Sequence, residues 1–312
     1  MGRRSTSAGL AVGLAALVLV LLSAVHLTQG TSGMGFGDLL GLVAGHARPE
    51  VLDVLLGSRL PRLAAGLAVG AALGVCGALL QSVSRNDLAA PDTLGVNAGA
   101  HLAVVAVAVA DTALPLAPTT VVAFAGGLLA AGLVLAISSA GATNPTRMIL
   151  AGSVVTLACA AVTQTLQLVD QEATVGLFAW GQGSLVQSGL ANVTRLAPVI
   201  VGGCVVALGL SRRLDVLTLG DDTAAVLGVG VRRVRTVAVL VAVLLSACAV
   251  TVAGPVGFVG LVAPTIVRLL GVRRHRGLIP AAAVAGCVVV LGADVLTRVV
   301  LGGSAGVDVP AG

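Results

Sequence analysis

The sequence predicts an all-α fold, a polytopic bundle of membrane-spanning helices. Of its 312 residues, 57% are hydrophobic and only 10% are charged, whereas a soluble domain carries roughly 25% charged residues. The apolar residues gather into runs of about 15 to 23, close to the length that crosses a hydrocarbon layer of ~30 Å. Of the 42 glycines, 19 lie within these runs, where small residues allow membrane helices to pack closely.

Nine segments have the apolar character of a membrane span. They are residues 8–27, 63–83, 94–110, 119–139, 148–169, 196–210, 236–253, 256–270 and 278–300. The first is longer than the roughly 7–15-residue core of a signal peptide, so we interpret it as a span. The segments 196–210 and 256–270 are short enough to be ambiguous by length alone.

The distribution of arginine favours keeping both short spans. All 18 basic residues are arginine. With a cytoplasmic amino terminus and nine spans, 13 of the 18 fall on the inner side, in agreement with the positive-inside rule. Removing either short span would export at least one arginine cluster. We therefore predict about nine spans and a cytoplasmic amino terminus.

Composition excludes several functional classes. The chain has no lysine, so it has no Walker A loop, whose lysine contacts the phosphates of ATP. It has no tyrosine and one tryptophan, which argues against modules that stack nucleic-acid bases on aromatic rings. Its five cysteines and four histidines are widely separated, so we expect no metal site and no cofactor. Without a domain-sized soluble insert, the chain must take energy from a partner or from an ion gradient.

Four groups of motifs occur in order along most of the chain. They are RLPR at 59–62 with GALLQ at 77–81 and RNDLAAPDTLG at 85–95; LAG at 150–152 with WGQGSL at 180–185; LTLGDD at 217–222 with LGV at 227–229; and AGPVGFVGLVAP at 253–264 with ADVLTR at 293–298. Together they resemble the FecCD family, the membrane permeases of bacterial ABC importers for ferric siderophores, haem and vitamin B12. Two details depart from the family: Thr265 stands where histidine is usual, and Asp221-Asp222 replaces the commoner pair of glutamates.

The resemblance implies a multi-pass permease of the bacterial plasma (inner) membrane, with residues 1–312 forming one transmembrane domain. It implies a dimer with a second permease copy or paralogue, a cytoplasmic ATP-binding subunit, an extracytoplasmic substrate-binding protein and surrounding membrane lipid, and no nucleic acid. ATP hydrolysis would belong to the partner, so the chain itself would not be an enzyme. The cargo would be an iron–siderophore, haem or cobalamin complex.

A polar stripe on the fifth span marks a candidate translocation pathway. Thr156, Thr163 and Gln167 lie within about 40° of one another at 100° per residue, opposite an apolar face. In the family the fifth helix lines the pathway at the dimer axis, so the resemblance favours the same role. The alternative is helix packing, because hydroxyl and small residues also join membrane helices.

The hydrophilic segment 211–235 is the candidate coupling element for the ATPase. It reads as short amphipathic helices that end at glycines, and the family docks its ATPase through this segment. The residues assigned to coupling are Leu219, Gly220, Asp221, Asp222, Leu227 and Gly228. The alternative is a solvated loop whose arginines serve only to set the orientation of the chain in the membrane. Such a loop would need neither the glycines nor the apolar residues between them.

Arg59, Arg62 and Arg298 lie near the predicted outer surface, which is otherwise poor in arginine. In the family, arginines at these motifs receive acidic residues of the binding protein, so the resemblance predicts a docking site. For Arg298 an i,i+4 pair with Asp294 is a further possibility, because it would neutralise an acid inside the membrane.

Two other functional classes are weighed against this one. An ion-coupled secondary transporter would place acids near the bilayer midplane, whereas the acids here fall at loops or span ends, with Asp294 the nearest exception. A membrane-embedded enzyme would need clustered catalytic residues, and spacing reveals no Ser-His-Asp set.

Residues 307–312 resemble the loop that precedes the family's tenth span, so we expect this form to insert but to dimerise poorly and transport little.

Overall fold

The computed structural model describes residues 2–28, 37, 49–110, 119–139, 145–171, 174, 177, 181–187 and 189–301. These residues form a helical bundle, and no strand occurs among them. The α-helices in this part of the chain are α1 Gly2–Thr28, α2 Pro49–Val54, α3 Leu60–Ser84, α4 Val96–Val109, α5 Thr119–Ser139, α6 Pro145–Val169, α7 Ala191–Leu217, α8 Asp221–Val226, α9 Val231–Ala253, α10 Val259–Leu269 and α11 His275–Leu301. The predicted all-α bundle is confirmed.

In the described part of the chain, six helical segments are long and apolar enough to cross a membrane: Val51–Ser84, Thr119–Ser138, Arg147–Val169, Ala191–Leu217, Val231–Ala253 and His275–Val299. Three shorter apolar helices, Gly13–Thr28, Val96–Val109 and Val259–Leu269, coincide with the other predicted spans. The count of nine crossings therefore stays a prediction. The predicted loop before a tenth span, 307–312, lies outside the described residues.

The structure changes the expected form of both short spans. The apolar run 196–210 belongs to the 27-residue helix α7, which crosses easily. The run 256–270 is helical only over Val259–Leu269, and 11 residues reach ~16 Å, about half of a hydrocarbon layer. Pro255 and Gly257 precede this helix, and a proline followed by a glycine opposes continuous helix.

Helix α3 is the centre of the bundle. It packs against α9, α10 and α11, and nearly all of its residues from Pro61 to Ser84 are buried. Glycines make this packing possible. A methyl group added at Gly70 would lie 2.5 Å from the Cα of Cys287, and one added at Gly77 would lie 2.5 Å from the carbonyl carbon of Gly260. Because lipid competes equally for apolar side chains, such close backbone contacts supply much of the helix association energy.

The two ends of the bundle differ in charge. At one end, which we call the arginine-rich end, the carboxyl ends of α3 and α7 meet α8 and the amino ends of α9 and α11. Its exposed arginines include Arg85, Arg212, Arg213, Arg232, Arg233, Arg273, Arg274 and Arg276. At the opposite end, the amino-terminal part of α3 meets the carboxyl ends of α1 and α11.

We expect Gly77→Ala to destabilise the bundle, because a methyl group would overlap the Gly260 backbone. Overpacking of this kind costs about 1–3 kcal/mol. Gly132→Ala is the matched control, since nothing lies within 4 Å of a methyl group at that helical position. The measurement is the thermal unfolding midpoint of each purified variant in detergent. A midpoint for Gly77→Ala equal to that of the control would contradict the assigned packing.

Candidate translocation cavity and coupling surface

Two interrupted helices meet inside the bundle. Helix α4 follows a 3-10 turn that ends at Gly95, where φ is +69°. Helix α10 follows a non-helical segment that ends at Phe258, where φ is +63°. The Asp92 carboxylate accepts a hydrogen bond from the Asn97 side-chain amide. Its neighbour Pro91 packs against Gly260 at the start of α10, where an added methyl group would lie 2.4 Å from the Pro91 Cδ. The non-helical backbone of both interruptions is thus enclosed by protein, as a membrane requires.

A cavity of about 410 Å³ lies beside Asp92. Helices α4 and α6 form much of its wall, together with Gly181, Gln182 and Pro255. Its polar lining consists of Asp92, Asn97, His101, Thr156, Thr163, Gln164, Gln167 and Gln182. All three pathway residues predicted from the sequence, Thr156, Thr163 and Gln167, therefore line one cavity.

The lining offers groups for hydrogen bonding. Among the described residues, Asn97 Oδ1 and Thr156 Oγ1 are buried and have no hydrogen-bond partner. An unsatisfied buried polar atom costs about 1–3 kcal/mol, so this wall favours a polar occupant. Thr163 differs, because its hydroxyl donates to the Cys159 carbonyl oxygen at 2.8 Å.

Sequence reasoning did not identify Asp92, Asn97, Gln164 or Gln182 as site residues. The available signal was an acid and an amide five residues apart beside an apolar run, because an ionisable group in a membrane segment is a functional candidate. This signal was not used because Pro91–Leu94, which form a 3-10 turn, have the sequence character of a loop between spans.

Helix α6 presents a second face away from the cavity. Leu150, Val154, Leu157 and Leu168 are 61%, 64%, 70% and 73% exposed. A continuous apolar surface of this kind suits contact with lipid or with a second membrane subunit. Helix α6 thus lies between the cavity, which its polar face lines, and the exterior of the bundle, to which its apolar face is exposed.

The predicted coupling segment contains the short helix α8. Gly220 precedes α8 with φ +118° and Gly228 follows it with φ +78°, backbone angles that favour glycine. Leu219, Val226 and Leu227 are 64%, 87% and 60% exposed. These exposed apolar side chains lie at the end of a six-residue helix and directly beside it, and packing among the described residues does not explain them.

Asp221 fixes the start of α8. Its carboxylate pairs with Arg85, at the end of α3, and with Arg235 of α9 at 3.0 Å. Arg85 also donates to the Leu217 carbonyl oxygen at 2.8 Å, where α7 ends. The Asp221 carboxylate thereby ties α8 to α3 and α9, and Arg85 connects the same point to the end of α7. Asp222, its neighbour in the predicted set, is exposed.

The opposite end contains a buried charge cluster. Asp294 is fully buried, accepts hydrogen bonds from Arg62 at 2.7 Å and His26 at 2.8 Å, and forms an ion pair with Arg298 at 3.0 Å. The Asp294–Arg298 contact is the i,i+4 pair considered above. The cluster joins α1, α3 and α11 and neutralises an acid that would be costly alone.

The three arginines assigned to binding-protein docking all make contacts within the chain. Arg59 is 5% exposed and donates to the Leu27 carbonyl oxygen at 3.0 Å. Arg62 and Arg298 contact Asp294 with side chains 10% and 19% exposed. Docking by these residues stays a prediction, and their internal contacts were not foreseen, apart from the Asp294–Arg298 pair.

A Ser-His-Asp arrangement is present that spacing could not reveal. His275 Nε2 lies 2.6 Å from Ser82 Oγ, and His275 Nδ1 lies 2.7 Å from an Asp215 oxygen. Ser82 is 5% exposed, and its hydroxyl also donates to the Ala78 carbonyl oxygen at 2.6 Å. A nucleophile needs access to substrate, so this buried serine does not support an enzymatic reading. The three residues instead link α3, α7 and α11.

We expect Asp294→Asn to lower the free energy of unfolding by about 3–5 kcal/mol, because Arg62 and Arg298 would lose their buried counter-charge. Asp53→Asn is the matched control, since Asp53 is exposed on α2. Thermal unfolding of the purified chain in detergent measures both variants. Equal midpoints for the two variants would mean that the cluster does not stabilise this end.

Comparison with known proteins agrees with this architecture. A profile of the FecCD transport family matches residues 16–311. The Fe(3+)-citrate import system permease protein YfmD of Bacillus subtilis strain 168 is 36% identical over 299 residues, which cover 95% of this chain and 88% of that protein. The hemin transport system permease protein HmuU of Yersinia pestis is 33% identical over 294 residues, covering 93% and 87%.

A solved structure shares the fold. It is described as an inward-facing conformation of a metal-chelate type ABC transporter, and it superposes with a TM-score of 0.84 at 24% identity over 96% of this chain and 92% of that one.

The Fe(3+) dicitrate transport system permease protein FecD of Escherichia coli K12 is 38% identical over 257 residues, or 82% of this chain and 79% of that protein. The chain belongs to the FecCD transport family.

Proposed function

We propose that this chain is the membrane-spanning permease subunit of an ATP-driven importer for a ferric chelate, in the plasma membrane of a bacterium. Relatives named for import of iron citrate and hemin support the cargo class. The observation that carries the proposal is the exposed apolar surface of α8, anchored at the arginine-rich end. A subunit that contains no nucleotide-binding motif needs such a surface to receive an ATPase.

The α8 region is the docking site for the ATP-hydrolysing partner. Leu219, Val226 and Leu227 offer apolar area to a cleft, and glycines bound the helix at both ends. Asp221 holds the helix against α3 and α9, so a force applied to α8 reaches the bundle. The ATP hydrolysis itself belongs to the partner.

The arginine-rich end faces the cytoplasm in this proposal, because basic residues accumulate on that side of a bacterial membrane. The opposite end then faces the binding protein. Arg59, Arg62 and Arg298, which also contact Leu27 and Asp294 within the chain, orient that partner through its acidic side chains. Charge pairs at the rim of an interface raise the association rate and are weakened by salt.

The cavity beside Asp92 is part of the translocation pathway. Thr156, Thr163 and Gln167 form its α6 wall. A second permease copy or paralogue completes the channel, and alternating access opens the cavity to one side at a time. The polar lining allows a chelate to pass while it exchanges hydrogen bonds with the wall.

An ion-coupled secondary transporter is the second candidate, and one observation favours it. Asp92 lies in the cavity wall, inside the bundle, where transporters of that class carry their coupling acids. The family match supports ATP coupling. The two functions differ in their response to loss of the ion gradient.

We expect Val226→Glu and Leu227→Glu to prevent co-purification with the ATPase subunit, because a carboxylate in an apolar cleft is costly. Leu52→Glu is the control, as Leu52 is 36% exposed on α2, at the opposite end of the bundle. The readout is the amount of ATPase recovered with tagged permease from detergent-solubilised membranes. Undiminished recovery would contradict docking through α8.

Uptake measurements test the energy source. Cells that express the chain with its partners are offered ⁵⁵Fe-citrate, ⁵⁵Fe-enterobactin and hemin. Import of at least one should stop when ATP is depleted and should survive collapse of the proton gradient by an uncoupler while ATP is maintained. The reverse response would assign the chain to the ion-coupled class.

A further inference from the structure

Two side-chain links at the arginine-rich end converge on the last turn of α3. The first joins Asp221, at the start of α8, to Arg85. The second joins Asp215, near the end of α7, through His275 to Ser82. Ser82 and Arg85 lie about one helical turn apart. The unit formed by α7 and α8 is therefore tied to α3 at two neighbouring points.

Arg85 holds an unusual backbone conformation to make its link. It ends α3 in the left-handed region, with φ +50° and ψ +36°, which is unfavourable for a residue with a side chain. From there its guanidinium contacts both the Leu217 carbonyl oxygen and the Asp221 carboxylate. A cation at the carboxyl end of α7 and an acid at the amino end of α8 also suit the two helix dipoles.

The second link is more buried than the first. Ser82 and His275 are 5% and 3% exposed. Asp215 accepts from the His275 backbone N–H at 2.9 Å and from its ring at 2.7 Å, so it caps the first turn of α11. Since both nitrogens of the imidazole are engaged, a shift of α7 relative to α3 must break at least one hydrogen bond or move α11.

The last turn of α3 leads directly to the cavity. The chain leaves α3 at Arg85 and reaches Asp92 after a short loop and the start of the 3-10 turn. Asp92 lines the cavity, and the neighbouring Pro91 packs against Gly260 at the start of α10, where an added methyl group would lie 2.4 Å from the Pro91 Cδ. Movement of the α3 terminus therefore has a short covalent route to the cavity wall and to the interruption before α10.

We propose that Arg85 and His275 are positioning residues that transmit displacement of α8 to α3 and from there to the cavity wall at Asp92. This inference rests on the proposed function, since it requires an ATPase that moves α8. It assigns roles to residues outside the predicted coupling set. Neither residue contacts cargo or nucleotide in this scheme.

The test measures ATP-dependent exposure of the cavity. In a chain whose native cysteines are replaced, Gln164→Cys places a thiol in the cavity wall. The complex with the ATPase is reconstituted in proteoliposomes, and the rate of maleimide labelling is compared between the nucleotide-free and the vanadate-trapped ATP state. We expect the two rates to differ by at least about threefold in this parent.

Arg85→Gly separates coupling from strain, because glycine adopts the left-handed φ without cost while the guanidinium is lost. It should keep ATPase co-purification and basal hydrolysis, yet bring the ratio of labelling rates close to one. His275→Asn keeps a polar group near the Nδ1 position and loses the contact with Ser82. His275→Gln keeps a polar group near the Nε2 position and loses the contact with Asp215. Each variant should therefore reduce the ratio of labelling rates. Arg213→Gln, at an exposed position of the same end, should match the parent.

If Arg85→Gly and both His275 variants keep the parent's ratio of labelling rates, the proposed links are wrong, whereas the proposed function is unaffected. Loss of the ATPase from Arg85→Gly would assign Arg85 to assembly and would also overturn its positioning role. A parent with a bound ATPase but no ATP-dependent change would overturn both the links and the proposed function.

Discussion

Close approach between α3 and its neighbours is the constraint on which the rest of the structure depends. Inside a membrane, burial of apolar side chains drives helix association weakly, because lipid is equally apolar. Gly70 and Gly77 bring the backbones of α11 and α10 against α3, where many small dispersion contacts add up. The start of α10 lies against α3, since Gly260 contacts Leu73 and Gly77, and the cavity beside Asp92 lies next to the interruption that precedes α10.

Polar groups give the bundle its two distinct ends. Asp294 gathers His26, Arg62 and Arg298 at one end, and Asp221 gathers Arg85 and Arg235 at the other. In both clusters an acid joins several helices, so the charges are paired where desolvation would otherwise penalise them. The clusters differ in exposure, since Asp294 is fully buried and the Asp221 side chain is 44% exposed. The more exposed cluster lies beside α8, the element proposed to move.

The sequence sufficed to predict much of the architecture, because helix length and apolar character are local properties. The segment boundaries of α5, α6 and α9 lie close to those expected, and the shared face of Thr156, Thr163 and Gln167 was predicted from helical periodicity. Contacts between distant residues could not be predicted in this way. Ser82, Asp215 and His275 are separated by 60 residues or more, and only the packing of three helices brings them together. The 3-10 turn that carries Asp92 likewise resembles an ordinary loop until its burial is known.

We infer that a partner ATPase acts on the cavity through α8. A structure determination by electron cryomicroscopy of this chain bound to the ATPase, without nucleotide and with a trapped ATP state, tests this inference. We expect the ATPase to bury Leu219, Val226 and Leu227 in both states. We also expect the Asp221–Arg85 contact to persist while the space between Asp92 and Gln164 changes. An α8 exposed to solvent in both complexes, or a cavity of unchanged shape, would contradict it.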